Sequence, residues 1–145
     1  MAVERTASAD WEGDLMEGSG TVSTQSGVVS NATVKWSSRA EQADENTSPE
    51  ELIAAALATC VSMALAHGLA QAGTPPQRIE TEATATFDQV DEGFRMTTIQ
   101  LGIRGQVDGL DEDAFREAAE GAKEGCPVSQ ALKGNVDVSL DASLA

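Results

Sequence analysis

Apolar and polar positions follow different rhythms along this chain, and each rhythm predicts an element. Gly18 to Val29 and Asn31 to Ser38 are rich in Thr, Val and Ser, with Gly and Asn as punctuation, which predicts two strands joined by a tight turn. Ala40 to Asn46 reads as a polar loop. Residues 52 to 66, LIAAALATCVSMALA, are then almost unbroken apolar sequence. Just before them Ser48 can cap a helix, Pro49 suits the first helical position, and Glu51 completes a Ser-x-x-Glu capping box. The helix should therefore start at Pro49 and run to about Ala72, where Gly73 and Pro75-Pro76 end it. Apolar side chains surround most of its circumference, so it should be buried nearly all round, at the centre of the fold.

Ile79 to Val90 alternates apolar or small residues with polar ones, the period of a strand with one wet face. Asp91-Glu92-Gly93 turns it, and Phe94 to Val107 returns as its hairpin partner. Asp111 to Glu124 has the pattern of an amphipathic helix with an acidic first turn. Gly125 ends it, Cys126-Pro127 starts a short helical turn through Lys133, and Val136 to Leu140 is a last strand. The order β-β-α-β-β-α-β predicts an α+β sandwich in a single domain over residues 1–145, not a doubly wound sheet.

Composition narrows the function classes. A formal charge of −15 comes from 24 acidic and 9 basic residues, only three of them lysines. Such a surface repels phosphate backbones and anionic membranes, so neither nucleic acid nor membrane is expected as a partner. An Asp/Glu-rich, Lys-poor surface also suits concentrated salt, whose counterions screen self-repulsion. The chain opens with MAVERTASADWEGD, polar and mixed rather than a secretory leader, and the apolar run after Leu52 is about 15 residues against the ~20 of a membrane span. The expectation is a cytoplasmic protein, whose two cysteines are inert packing or redox chemistry rather than a structural disulfide.

Cys60, on an apolar helix, has the surroundings of a small core residue. Cys126 precedes a proline and should cap a short helix, where unpaired N–H groups favour a thiolate, and its Gly-Cys-Pro turn should be the more exposed, so residue chemistry alone makes it the more reactive of the two. One histidine and two distant cysteines show no metal-ligand spacing, and no cofactor is implied. His67 lies two turns beyond Cys60 and cannot serve it as a base within one chain. Arg39 stands out among few cations, close in sequence to Glu50.

NTSPEELIAAALATCVSMALA from Asn46 and GCPVSQAL from Gly125 resemble the paired cysteine signature of the OsmC/Ohr family, and DWEGDLMEGSGTVSTQSG from Asp10 is similar to the start of its OsmC branch. The resemblance implies an intertwined homodimer and a thiol peroxidase acting on organic hydroperoxides and, less well, on hydrogen peroxide. It assigns Cys60 as the peroxidatic cysteine, Cys126 as the resolving one, Arg39 as the arginine that holds the thiolate and Glu50 as its anchor. It also implies a dithiol reductant, of the lipoyl type in parts of the family. The chemistry agrees, because a thiolate on an apolar helix needs a fixed cation. Leu52, Leu57, Met63, Phe87 and Phe94 would favour a bulky organic hydroperoxide. Ten helical residues separate Glu50 from Cys60, about 15 Å, so the three groups should meet only if Glu50 comes from a partner chain. The competing expectation is a small-molecule or lipid-binding dimer of the same fold without turnover; a purely structural protein would have both cysteines buried and unreactive.

Overall fold

The computed structural model describes all residues, Met1–Ala145, which divide into two units, Met1–Leu52 and Ile53–Ala145. The first unit holds strands β1 (Ala7–Glu12), β2 (Ser19–Thr24) and β3 (Ala32–Val34) in an antiparallel sheet of that order, followed by a five-residue helix α1 (Trp36–Ala40). Helix α2 (Pro49–Gln71) begins in this unit and continues through the second. The second unit adds strands β4 (Arg78–Val90) and β5 (Gly93–Gln106), helices α3 (Glu112–Gly125) and α4 (Pro127–Leu132), and strand β6 (Asp137–Leu144).

β1 has no counterpart among the expected elements. Its six residues, ASADWE, alternate Ala7, Ala9 and Trp11 with Ser8, Asp10 and Glu12, but two of the three apolar positions are alanines and all six residues are exposed, so the pattern is weak. The expected strand through Ser38 stops at Val34, and the segment that carries Arg39 is helical instead. The connection from β2 to β3 is also longer than a tight turn. Gly27 at φ +79° and Asn31 at φ +49° turn the chain, and Thr24 N–H donates to the carbonyl of Val29.

α2 starts at Pro49 as its capping signals require. The hydroxyl of Ser48 accepts the Glu51 N–H at 3.0 Å, but the Glu51 carboxylate accepts from the Thr47 hydroxyl rather than closing the box on Ser48. The left-handed Gly73, at φ +89°, follows its last turn. Burial nearly all round does not hold for the single chain. Apart from Glu50 in the first turn, only a stripe at helical spacing, Ala54, Leu57, Val61, Leu65 and Leu69, is buried, while Ala55, Ala56, Thr59 and Met63 are exposed, Met63 to 68%. Alanine at so many positions makes the helix apolar on every side without saying which side packs. The 23 residues are long and apolar enough to cross a membrane by length and composition, more than the 15-residue run suggests, yet the buried stripe packs into a protein core.

That core lies on one face of the second sheet, order β4-β5-β6. β4 and β5 form a long antiparallel hairpin, with a register shift at Thr86/Phe87. β6 returns parallel to β5 after a crossover through α3 and α4, as a parallel neighbour requires. Ile99, Leu101 and Ile103 alternate inward along β5 and meet Leu57, Val61 and Leu65 of α2 with Phe115 and Ala119 of α3 in one cluster. Each fully buried large side chain there contributes about 1.5–3 kcal/mol. Asp111 caps α3 by accepting the Ala114 N–H at 2.8 Å, and its acidic first turn opposes the helix dipole.

Candidate active site

In the second unit Cys60, midway along α2, and Cys126, between α3 and α4, are both free thiols and lie within hydrogen-bonding reach of each other. Cys126 is the C-terminal residue of α3's cap and the N-cap of α4 at once, which leaves it little freedom to move. It is fully buried, against the expectation of an exposed, more reactive thiol, because α3 and α4 meet there and its side chain joins the core cluster. Its sulfur makes no cap hydrogen bond. The N–H of Val128, in the first turn of α4, is instead hydrogen-bonded to Cys60.

Burial pushes the Cys60 thiol above its ordinary value, and the hydrogen bond to Cys126 adds to this; the Val128 N–H acts in the opposite direction. Cys60 is the half-buried member of the pair. With Thr59, Met63 and Pro127 it lines an apolar depression of about 670 Å³. A solute therefore reaches Cys60, while Cys126 waits behind it.

The first unit brings the other two expected residues together. Arg39 on α1 grips Glu50 in the first turn of α2 with two parallel bonds, Nε to Oε1 and Nη2 to Oε2, both 2.9 Å. Glu50 is one of only two buried polar or charged residues, the other being Ser38. The guanidinium is thus a fixed cation on a carboxylate fork. The same unit contains an apolar cavity of about 520 Å³, lined by both tryptophans, Trp11 and Trp36, with Leu15, Pro49 and Leu52, and with Arg39 and Lys35 as its charged members. Sequence reasoning missed Trp11 and Trp36 because neither belongs to a recognisable spacing. Their rarity in a chain with 3% aromatic residues was the available signal. Phe87 and Phe94 stack on each other at 5.4 Å on the β4–β5 hairpin and line neither cavity. His67 is exposed on α2.

Fold and site define a mixed α+β protein with a reduced thiol pair in one unit and a chelated arginine in the other. The chain belongs to the OsmC-like protein family, whose sequence profile matches residues 42–141. It is 44% identical over 144 residues to peroxiredoxin OsmC of Escherichia coli, with 99% of each chain covered. It is 34% identical over 108 residues to organic hydroperoxide resistance protein OhrA of Bacillus subtilis, covering 71% of this chain and 72% of the relative. Among solved structures it superposes on an organic hydroperoxide resistance protein OsmC of Legionella pneumophila with a TM-score of 0.77, 25% identity and 99% of both chains covered. OhrB of Bacillus subtilis follows at a TM-score of 0.74, with 26% identity and 95% and 98% covered.

Proposed function

We propose that this protein is a cysteine-based peroxidase that reduces organic hydroperoxides and, less efficiently, hydrogen peroxide. The observation that carries the reading is the contact between a solvent-reachable Cys60 and a buried Cys126. The names of its relatives, peroxiredoxin and organic hydroperoxide resistance protein, support a peroxide-related redox role.

The Cys60 thiolate attacks one peroxide oxygen, the O–O bond breaks, and the alcohol leaves with a proton, so that Cys60 becomes a sulfenic acid. The Cys126 sulfur then displaces hydroxide from that sulfenic acid; a disulfide forms and water departs. An external dithiol, lipoyl-type or similar, restores both thiols by exchange and is itself oxidised to a disulfide. Thiolate formation against burial calls for a cation. Arg39, anchored by Glu50, fills that role and donates hydrogen bonds to the peroxide as charge builds on the departing oxygen.

Ten residues of unbroken α2, about 15 Å, separate Glu50 from Cys60. The Arg39–Glu50 fork therefore acts on Cys60 of a second copy, and the active unit is a homodimer with two composite sites. The apolar face with Met63 takes the oily part of the substrate, and a reducing cytoplasm keeps the thiols free between turnovers. Nothing in this scheme calls on nucleic acid or a membrane, and a charge of −15 opposes both.

The test is stopped-flow oxidation of the reduced protein by cumene or tert-butyl hydroperoxide. Loss of two thiols with one intramolecular disulfide supports the reading, and Cys60→Ser abolishes turnover. Full turnover in Cys60→Ser refutes it.

A further inference from the structure

Arg39 sits on a helix of five residues, too short to hold itself, and the N-cap residue Lys35 makes no side-chain cap. Something else must aim its guanidinium. α1 buries a single residue, Ser38, next to Arg39. The Ser38 hydroxyl donates to Asp44 Oδ2 at 2.9 Å and accepts from Asn46 Nδ2 at 3.2 Å. Asp44 Oδ1 accepts the Asn46 backbone N–H at 2.9 Å. These bonds draw the polar loop after α1 back onto the helix as a closed ring.

One residue further on, Thr47 is tied to β3. Its N–H donates to the Thr33 carbonyl, it bridges Val34, and its hydroxyl donates to Glu51. The ring sets one end of the Arg39–Glu50 fork and the Thr47 bridge sets the other.

We infer that Asp44 is a positioning residue, which with Ser38 and Asn46 clasps α1 in the orientation that places Arg39 on Glu50. The Asn46 N–H and the Ser38 hydroxyl hold the Asp44 carboxyl below its ordinary value, so the clasp keeps its ionised, bond-accepting form throughout the neutral range. Asp44 itself is exposed, so its role rests on these bonds and not on packing. The catalytic consequence rests on the peroxidase reading; the clasp does not.

The test therefore has two arms. In the first, the exchange of the Arg39 Nε–H with water is followed by ¹⁵N NMR in the full-length protein. Asp44→Ala accelerates it about tenfold, the scale of one charge-assisted hydrogen bond. Asp44→Asn, which keeps a carbonyl acceptor for the Asn46 N–H, falls between. Asn46→Ala accelerates it too, and is the second variant should Asp44→Ala lose its native amide spectrum. Unchanged exchange in a folded variant overturns the clasp.

In the second arm, the rate of Cys60 oxidation by cumene hydroperoxide falls in Asp44→Ala and its pH profile moves to the alkaline side. Asp44→Ala adds nothing in an Arg39→Ala background; an undiminished effect there overturns action through Arg39. A wild-type protein that leaves Cys60 unoxidised refutes the peroxidase reading, and the clasp is then decided by the NMR arm alone.

Discussion

The backbone N–H of Val128 is hydrogen-bonded to Cys60, although the residue that caps its helix is Cys126. The amino end of α4 thus serves the neighbouring helix's sulfur and not that of its own cap. The two thiols are thereby differentiated: one is reachable and receives an N–H, the other is sealed in the core.

That division of labour predicts the fate of a Cys126→Ser variant. It consumes one equivalent of hydroperoxide, stops at the Cys60 sulfenic acid, and is trapped by dimedone in the mass spectrum, whereas the wild type is not. With no neighbouring thiol, further hydroperoxide carries the variant on to the sulfinic acid.

Removing the cation changes the pH response in a defined direction. Burial favours the neutral Cys60 thiol, whose ordinary value is 9.0; if Arg39 is the cation that offsets this, its removal confines the thiolate to higher pH. An opposite charge shifts a pKa by about 1–3 units, so Arg39→Ala lowers Cys60 oxidation at neutral pH by about 10- to 1000-fold, and Lys at 39 restores it poorly because the fork to Glu50 is lost. The linkage sign follows. A raised thiol pKa gives stability that is full below the unfolded value and lost as pH climbs through the folded one. The denaturant midpoint of Arg39→Ala should fall above pH ~9, and adding Cys60→Ala should remove that slope.

If the fork acts between subunits, two impaired proteins complement each other. Cys60→Ser homodimers are inactive and Arg39→Ala homodimers keep only their reduced rate; after unfolding and joint refolding, a random equimolar mixture gains about a quarter of wild-type turnover, because half the dimers are mixed and each carries one complete site. A mixture that gains nothing places the fork in the same chain as its cysteine.

The packing of α3 on the sheet makes a separate prediction. A Cβ at Gly105 would lie 2.5 Å from Cε1 and Cζ of the fully buried Phe115 ring. Gly105→Ala should cost about 1–3 kcal/mol in urea unfolding, and Phe115→Leu on top of it should recover part of the loss.

A surface carrying −15 resists its own compaction, and salt relieves that repulsion. The melting temperature should rise from low to molar KCl; a flat profile would remove high salt as the reason for the acidic composition.

Much of the scaffold was legible in local chemistry. The start of α2 follows from Ser48 and Pro49, the β4–β5 hairpin from period-two alternation around Gly93, and α3 from its acidic cap and the spacing of Phe115, Ala119 and Ala122. β1 and α1 were not, since the alternation of ASADWE rests on two alanines and one tryptophan that all stay exposed, and a five-residue helix has no period to detect. The candidate site residues were nameable through resemblance to a family, but the exposure expected of Cys126 was not met. A cap position says which N–H groups are nearby, not which helices close over them.

By itself the sequence determined the boundaries of the long helix, the long hairpin and the charge, because caps, turns and alternation act over a few neighbours. Only the tertiary structure decided which face of α2 is buried, that Cys126 lies behind Cys60 with Val128 N–H on the outer sulfur, and that Asp44 closes a ring on Ser38 beside Arg39. Those relations join residues whose side chains meet through the packing of separate elements, and an alanine-rich helix that is apolar on every side cannot choose its buried face until its neighbours do.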